Sequence, residues 1–548
     1  MHFHSGLARL FYSLVYCAVL LPVACLSLAC SRQESRVVSG IRTGDLYLGN
    51  GVEPQSLDPQ ISTGVSELNI HFALFEGLVR PSAVDLSPLP GVADRWSVSD
   101  DGLVWTFYLR RDARWSNGDA VKAGDFIFAW RRILSPKLGA RNASLLFVVK
   151  HAEDYQTGRL TEFAQVGFSA PDSFTLQIHL VKPLPYFLNL VMHPAWFPVH
   201  PGTIERFDAA EKRTSAWTRP GNHVGNGPFM LKEHRVNDRV VVEKNSYYHH
   251  AASVKLNRIH FYPMEDRNAE ELAFLAGQLH ATYSLPPGKA PIYREKKDTR
   301  LRLDPYLGTE YYLLNTKVKP LDDVRVRRAL NLALNRELLV TRILGGGQQP
   351  AYGFVPPGTA GYKPQVQLAE NLAEAQHLLA QAGFPDGQGF PPLELLYNTS
   401  EINRKTAEAV QETWRKNLGI SILLTNQEYT VYLENRRLGN FQLCRSSWIG
   451  DYVDPDAFLC LWTASSGNNY SGWSATAYDA AVTAANATPE PTTRTQHFHD
   501  AEAILLNASP IVPLYHNVSA YLLMPCVNGW KSNLLGWPDY SAIELMHR

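Results

Sequence analysis

The chain has 548 residues, 45% hydrophobic and 19% charged, an ordinary globular balance but too long for one hydrophobic core, so two to four lobes are expected. Lys plus Arg and Asp plus Glu number 52 each, and this zero formal net charge excludes the cationic surplus that a nucleic-acid binder needs. In chain order, residues 1–29 carry one formal charge, Arg9, ahead of the apolar run Leu10–Leu28. That is the pattern of a secretory signal peptide, although the run is also just long enough to span a bilayer uncleaved. Its removal takes away only Arg9 and leaves a balance of 51 minus 52, or −1. Residues 30–44 read as a linker, and Asp45-Leu46-Tyr47-Leu48-Gly49 as the first strand. Ser99-Asp100-Asp101-Gly102, between apolar-alternating flanks, predicts a hairpin turn. Phe174 to Leu180 alternates apolar and polar, the period of a half-buried strand. Asp322-Asp323 can cap a helix carrying Val326, Ala329, Leu330, Ala333 and Leu334 on one face. Asn371 to Phe384 predicts another helix, with Gly383 at its C-terminal cap and Pro385 at its stop. There is no internal repeat and no long linker, so the lobes are expected to interleave.

Catalytic motifs are absent. Gly345-Gly346-Gly347 is followed by Gln348-Gln349-Pro350, which supplies no phosphate-binding lysine. Neither a GxSxG elbow nor an HExxH pair occurs. His497 and His499 fall in a stretch that reads as a helix, where positions two apart diverge, so surface histidines are the expectation there. No enzyme activity, no cofactor and no metal site are therefore expected. Six cysteines include no CxxC pair, and Cys444, Cys460 and Cys526 are expected to form no disulfide. The sequence Ser27-Leu28-Ala29-Cys30 resembles the lipobox of bacterial lipoproteins, in which the cysteine sulfur takes a diacylglycerol. Ser27 departs from the usual leucine, and Cys25 is a competing site. The expectation is an extracytoplasmic lipoprotein, periplasmic or at the cell surface, anchored through Cys30.

Five blocks resemble family 5 of the bacterial extracellular solute-binding proteins, the peptide-binding components of ABC importers. The first comprises Glu53 to Pro59, Gly64 to Glu67 and Leu74 to Leu78. The second and longest comprises Ala93 to Gly102, Trp105 to Arg110, Trp115 to Asp119 and Asp125 to Trp130. Asn226-Gly227-Pro228-Phe229 is the third, and Asp304 to Leu307, Asn315 and Asp323 to Arg327 form the fourth. Arg445-Ser446-Ser447-Trp448-Ile449-Gly450-Asp451-Tyr452 is the fifth. Within the family the chain looks closest to the oligopeptide-binding type.

The resemblance implies an α/β chain with the two-lobed periplasmic-binding-protein fold, of the large three-domain type, with a hinge between the lobes. It implies that residues 45–79, 204–304 and 521–548 form lobe I, that 80–203 form an inserted domain packed on it, and that 305–520 form lobe II. It also implies a monomer that binds short peptides, roughly two to five residues long, and delivers them to an inner-membrane ABC permease and its ATPase subunits. Asp451 stands where such relatives place the carboxylate that pairs with the peptide α-ammonium. Ser447, Trp448 and Ile449 would lie along the peptide and bond it as an added strand, with Gly64 and Val65 doing the same from the opposite lobe. Tyr283 and Tyr311 match aromatic wall positions, with plain packing an equal alternative. Arg445 matches a cation that can reach the peptide carboxylate, and Arg436 a supporting one, either of which could instead sit in a structural ion pair. Asn403 stands where oligopeptide binders often carry histidine, and Leu344 where lysine is expected, with Arg342 nearby. The carboxylate end is thus altered, leaving peptide length open. Murein peptides, dipeptides, nickel or other solutes are alternative ligands on the same fold. A surface sensor without a transporter, or an extracytoplasmic hydrolase, are readings of other classes.

Overall fold

A computed structural model describes residues 34–546. The signal-like segment, Cys25 and the candidate lipidation residue Cys30 lie outside the described residues. Within them, no helix is long and apolar enough to cross a membrane. The linker expectation for residues 30–44 needs correction, because Arg36–Thr43 is a helix. Ser35 caps it by accepting from the Val38 N–H, and Gly44 ends it in the left-handed region at φ 71°.

Helices and strands alternate through a mixed α/β architecture. One four-stranded sheet joins Asp45–Gly49 in parallel to Arg258–Tyr262, which continues antiparallel through Arg239–Lys244 to Phe229–Arg235. Distant chain segments thus meet in one sheet, as the lack of linkers implied. Its core includes Leu46, Ile70, Phe75, Trp217, Val242, Ile259 and, from the C-terminal end, Tyr540 and Ile543. A second four-stranded sheet is all antiparallel, in the order Ala93–Val98, Val104–Leu109, Thr175–His179, Phe168–Asp172. The expected hairpin turn closes at Gly102, whose φ of 71° suits a residue without a Cβ.

The largest sheet has six strands, ordered Gln349–Pro350, Ile511–Leu522, Leu301–Leu314, Leu443–Ile449, Leu393–Asn398, Ile422–Gln427. Val324–Leu332 and Leu372–Gln381 pack near it, capped as expected by Asp323, which accepts from Arg325 N–H at 2.8 Å, and by Asn371, which accepts from Glu374 N–H at 3.1 Å. The two longest strands, Leu301–Leu314 and Ile511–Leu522, run antiparallel to each other and join the two halves of the molecule. Leu522 belongs to a small core with Phe274, Leu279 and Leu285, whereas Leu314 and Leu514 belong to the core of the six-stranded sheet. Their pairing breaks between Pro305 and Thr309, where one ladder stops and another begins. A proline without a donor N–H sits at that break, a position suited to bending.

Several residues of the recognisable blocks are joints between these parts. Asp58 and Arg132 form a buried bidentate pair, with Nη2 to Oδ2 at 2.7 Å, tying the first block to the helix Ala123–Ile133. Asn226 exchanges two hydrogen bonds with the Glu76 main chain. Gly227 is required by close approach, since a Cβ there would lie 2.5 Å from the Phe75 nitrogen.

Candidate ligand-binding cleft

A cavity of about 640 Å³ opens beside the crossing strands. Its walls come from both halves: Val65, Tyr283 and Trp530 on one side, Leu344, Ile402 and Ile449 on the other, with Tyr306 at the strand break. Such a mostly apolar concavity between lobes is a common form of small-ligand site.

The strand Leu443–Ile449 reaches the cleft at Ile449. On one side it pairs with Leu301–Leu314 along its length, from Leu443 opposite Leu314 to Ile449 opposite Gly308. On its other side Leu393–Asn398 reaches only Leu443 and Cys444. The edge from Arg445 onward is therefore not covered by a strand. The Arg445 carbonyl accepts from the Tyr432 hydroxyl, which shows that residue 445 points its main-chain groups to this open edge. Residues 447 and 449 share that direction by the two-residue alternation of a strand. An extended ligand backbone can pair there.

The same alternation sorts the side chains. Arg445, Ser447 and Ile449 share one face, and Ile449 lines the cleft. Ser446 and Trp448 point to the other face, where the Trp448 Nε1–H donates to the Ala457 carbonyl at 2.7 Å. Tyr311, directly opposite Ser446, goes with them. The expectation of Tyr311 as a cleft wall is therefore corrected. It is 4% exposed, packed edge-on against Phe354 and Trp462, and burial pushes its hydroxyl pKa up to about 12.

Asp451 follows the strand. It is exposed, and among the described residues it has no hydrogen-bonding or ion-pair partner. The surrounding protein nevertheless raises its carboxyl above the ordinary value, with burial the sole cause. Its neighbours are all engaged. Asp454 holds Arg494 with two bonds of 2.8 and 2.7 Å, and Asp456 accepts from Tyr452 at 2.9 Å and Asn486 at 2.6 Å. The loop is pinned from the opposite side by Tyr186, stacked on Tyr452 at 4.6 Å, and by Asn189, whose Nδ2 donates to the Val453 carbonyl at 3.0 Å. An unpaired carboxylate on a braced loop is suited to take a cation.

The two arginines behave differently. Arg445 is committed to Glu310, with Nη2 to Oε2 at 2.8 Å and a second bond from Nε to Oε1. Arg436 has no carboxylate partner among the described residues. Its Nη1 donates to Ser446 Oγ at 3.2 Å, and it lies against the rings of Tyr432 and Tyr470. Asn403 is buried, with Nδ2 donating to Asn398 Oδ1 at 3.0 Å. Gly64 is extended, but Val65 is the first residue of the helix Val65–Leu74, so the expected pair of strand-like residues is corrected to one. Val65 still faces the cleft, as does Tyr283, whose main-chain N–H donates to the buried Glu270 at 2.7 Å. Glu310 was missed by sequence reasoning, although an acid inside the apolar run Tyr306 to Leu314 had to find a buried cation. Trp530 and Trp537 of the cleft wall carried no motif.

Cys444 and Cys460 are free thiols. Among the described residues, no group of three or more His, Cys, Asp or Glu side chains could hold a metal ion.

Two lobes, crossing strands and a cleft between them define a solute-binding protein of the two-lobed class. The family model "Bacterial extracellular solute-binding proteins, family 5 Middle" matches residues 87–470, and the chain belongs to that family. It is 36% identical to the periplasmic murein peptide-binding protein MppA of Escherichia coli K12, over 95% of this chain and 96% of that protein. It is 37% identical to the periplasmic oligopeptide-binding protein OppA of Salmonella typhimurium, over 90% of this chain and 91% of that protein. The unliganded open form of MppA superposes with a TM-score of 0.83 at 35% identity, covering 92% of this chain and 98% of that one. Haemophilus influenzae OppA in complex with the peptide RPPGFSPFR gives 0.71 at 32% identity, covering 92% of this chain and 99% of that one.

Proposed function

We propose that this chain binds short peptides outside the cytoplasm and delivers them to an ABC importer. Lobe closure would bring the peptide backbone against the open edge at Ser447 and Ile449 and its α-ammonium to Asp451. The observation that carries the reading is Asp451 itself, the one carboxylate of its loop left without a partner, beside an unpaired strand edge. A carboxylate that loses water on closure needs a cation, and a free peptide supplies one at its amine end. The relatives named for oligopeptides and murein peptides support the ligand class. Either kind of peptide would use the same amine contact. Native mass spectrometry of the purified protein is expected to show co-purified peptides, displaced by added free-amine peptides and not by N-acetylated ones. Failure to bind any free-amine peptide ends this reading.

Membrane attachment through a lipid on Cys30 belongs to the same proposal, as does partnership with a permease and its ATPase subunits. Cys30→Ser is expected to abolish lipid labelling in the producing cells. Labelling that persists would assign the anchor to Cys25.

A further inference from the structure

We propose that Glu310 is a specificity-determining residue, holding Arg445 in an internal ion pair so that the cleft does not read a ligand carboxylate at that position. The proposal rests on the peptide-binding reading above and narrows its ligand class. The accepted peptides carry a free α-amine, while their C-terminus can be free, amidated or extended with little difference.

The geometry starts from the register. Glu310 stands directly opposite Ser447, and Tyr312 opposite Arg445, so Glu310 and Arg445 project from the same face of the sheet. That face is the one whose Ile449 lines the cleft. The Glu310 side chain is 5% exposed and that of Arg445 21%. The guanidinium fork therefore keeps part of its surface open, but two of its donors, Nε–H and Nη2–H, are spent on the two Glu310 oxygens. This is the bidentate geometry by which arginine grips a carboxylate, here supplied internally.

A ligand carboxylate arriving at Arg445 would put a second negative charge on one cation, next to a glutamate that is itself buried. Like charges placed together in a desolvated site oppose binding. Turning Arg445 away from Glu310 instead would leave Glu310 buried and unpaired, which is costlier than never forming the ion pair. Arg436 does not replace Arg445 on this face. It bonds Ser446 Oγ, and Ser446 projects to the opposite side of the strand. The amine end keeps a lone charge at Asp451, while the charge at Arg445 is cancelled within the protein.

The test compares alanine peptides of three, four and five residues, each with a free and an amidated C-terminus, by isothermal titration calorimetry on the full chain. In the unsubstituted protein the acid-to-amide affinity ratio is expected to stay below about threefold at every length. A charge-assisted bond to a ligand carboxylate would instead give about tenfold or more. Glu310→Gln keeps shape and removes the charge, and is expected to raise the ratio to about tenfold at the length whose carboxylate reaches Arg445. A ratio above about tenfold in the unsubstituted protein overturns the proposal and leaves peptide binding intact. That measurement needs no variant, so it stands even where Glu310→Gln folds poorly. An unchanged ratio in a folded Glu310→Gln also overturns it. Binding of no alanine peptide of either kind, with no co-purified peptide, overturns the peptide-binding reading and this proposal together.

Discussion

Asp451 and Arg445 stand at the two ends of one short stretch of chain in opposite electrostatic states. Arg445 is inside the regular strand and has a buried partner on the neighbouring strand. Asp451 lies beyond the strand, on a loop braced by Tyr186, Asn189 and Arg494, and has none. The contrast shows that a charge near a cleft is not by itself a recognition element. A charge whose desolvation is already compensated within the protein has little left to offer a ligand, whereas an uncompensated one gains on binding. The bracing matters equally, because a carboxylate held by its neighbours' contacts loses less freedom when the ligand arrives.

The sharpest way to break this comparison is to remove the uncompensated charge. Asp451→Ala is expected to weaken free-amine peptides by about thirtyfold or more in Kd, the lower end of what truncating one partner of a desolvated charge pair costs. The lower end applies because Asp451 is open to solvent before closure, where screening already weakens its field. Folding should be unaffected, since Asp451 makes no internal bond. The same substitution should leave N-acetylated peptides as weak as before. Equal losses for both peptide types, or no loss for either, would place the selectivity elsewhere.

Much of this contrast was written locally in the chain and part of it was not. The caps at Asp323 and Asn371, the turn at Gly102 and the strand Thr175–His179 follow from short-range rules and appear as expected. The helix Arg36–Thr43 also has its signals, Ser35 before it and Gly44 after it, but its place beside a signal-like segment favours a linker reading from sequence alone. The family blocks point to the stretch Arg445 to Tyr452 as a candidate site, whereas Asp58, Asn226 and Gly227 prove to be joints between parts. Two things needed the fold. The parity of Tyr311 depends on strand register, which pairs it with Ser446 and turns it into the core. The partner of Arg445 lies far away in sequence, and no local pattern connects Glu310 to it. Register and long-range pairing are set by the whole sheet, so a single sequence carries them only implicitly.

Acid titration gives a gentler test of the proposed contact at Asp451. In the free protein, burial raises the Asp451 carboxyl above its ordinary value. In the complex, an adjacent ammonium would lower it. Between those two values the free protein binds more protons than the complex, so affinity is full above the raised value. It declines as pH falls through that value, by up to about tenfold per pH unit. Calorimetry across pH on the unsubstituted protein and on Asp451→Asn separates this effect from any other, since the asparagine variant should show a flat affinity over the same range. The protein's own stability has to be followed alongside. His71, His193 and His223 are buried and held neutral, with pKa lowered to about 3, about 4 and about 4 chiefly by loss of solvation. The unfolded chain takes up those protons from about pH 6.5 downward while the folded one does not, so the contribution of these three histidines is fully present above that value and is lost toward pH 4. A thermal melt at each pH therefore fixes the range in which a lost affinity belongs to Asp451, and an affinity that stayed flat there would assign the ammonium contact to a group that does not titrate.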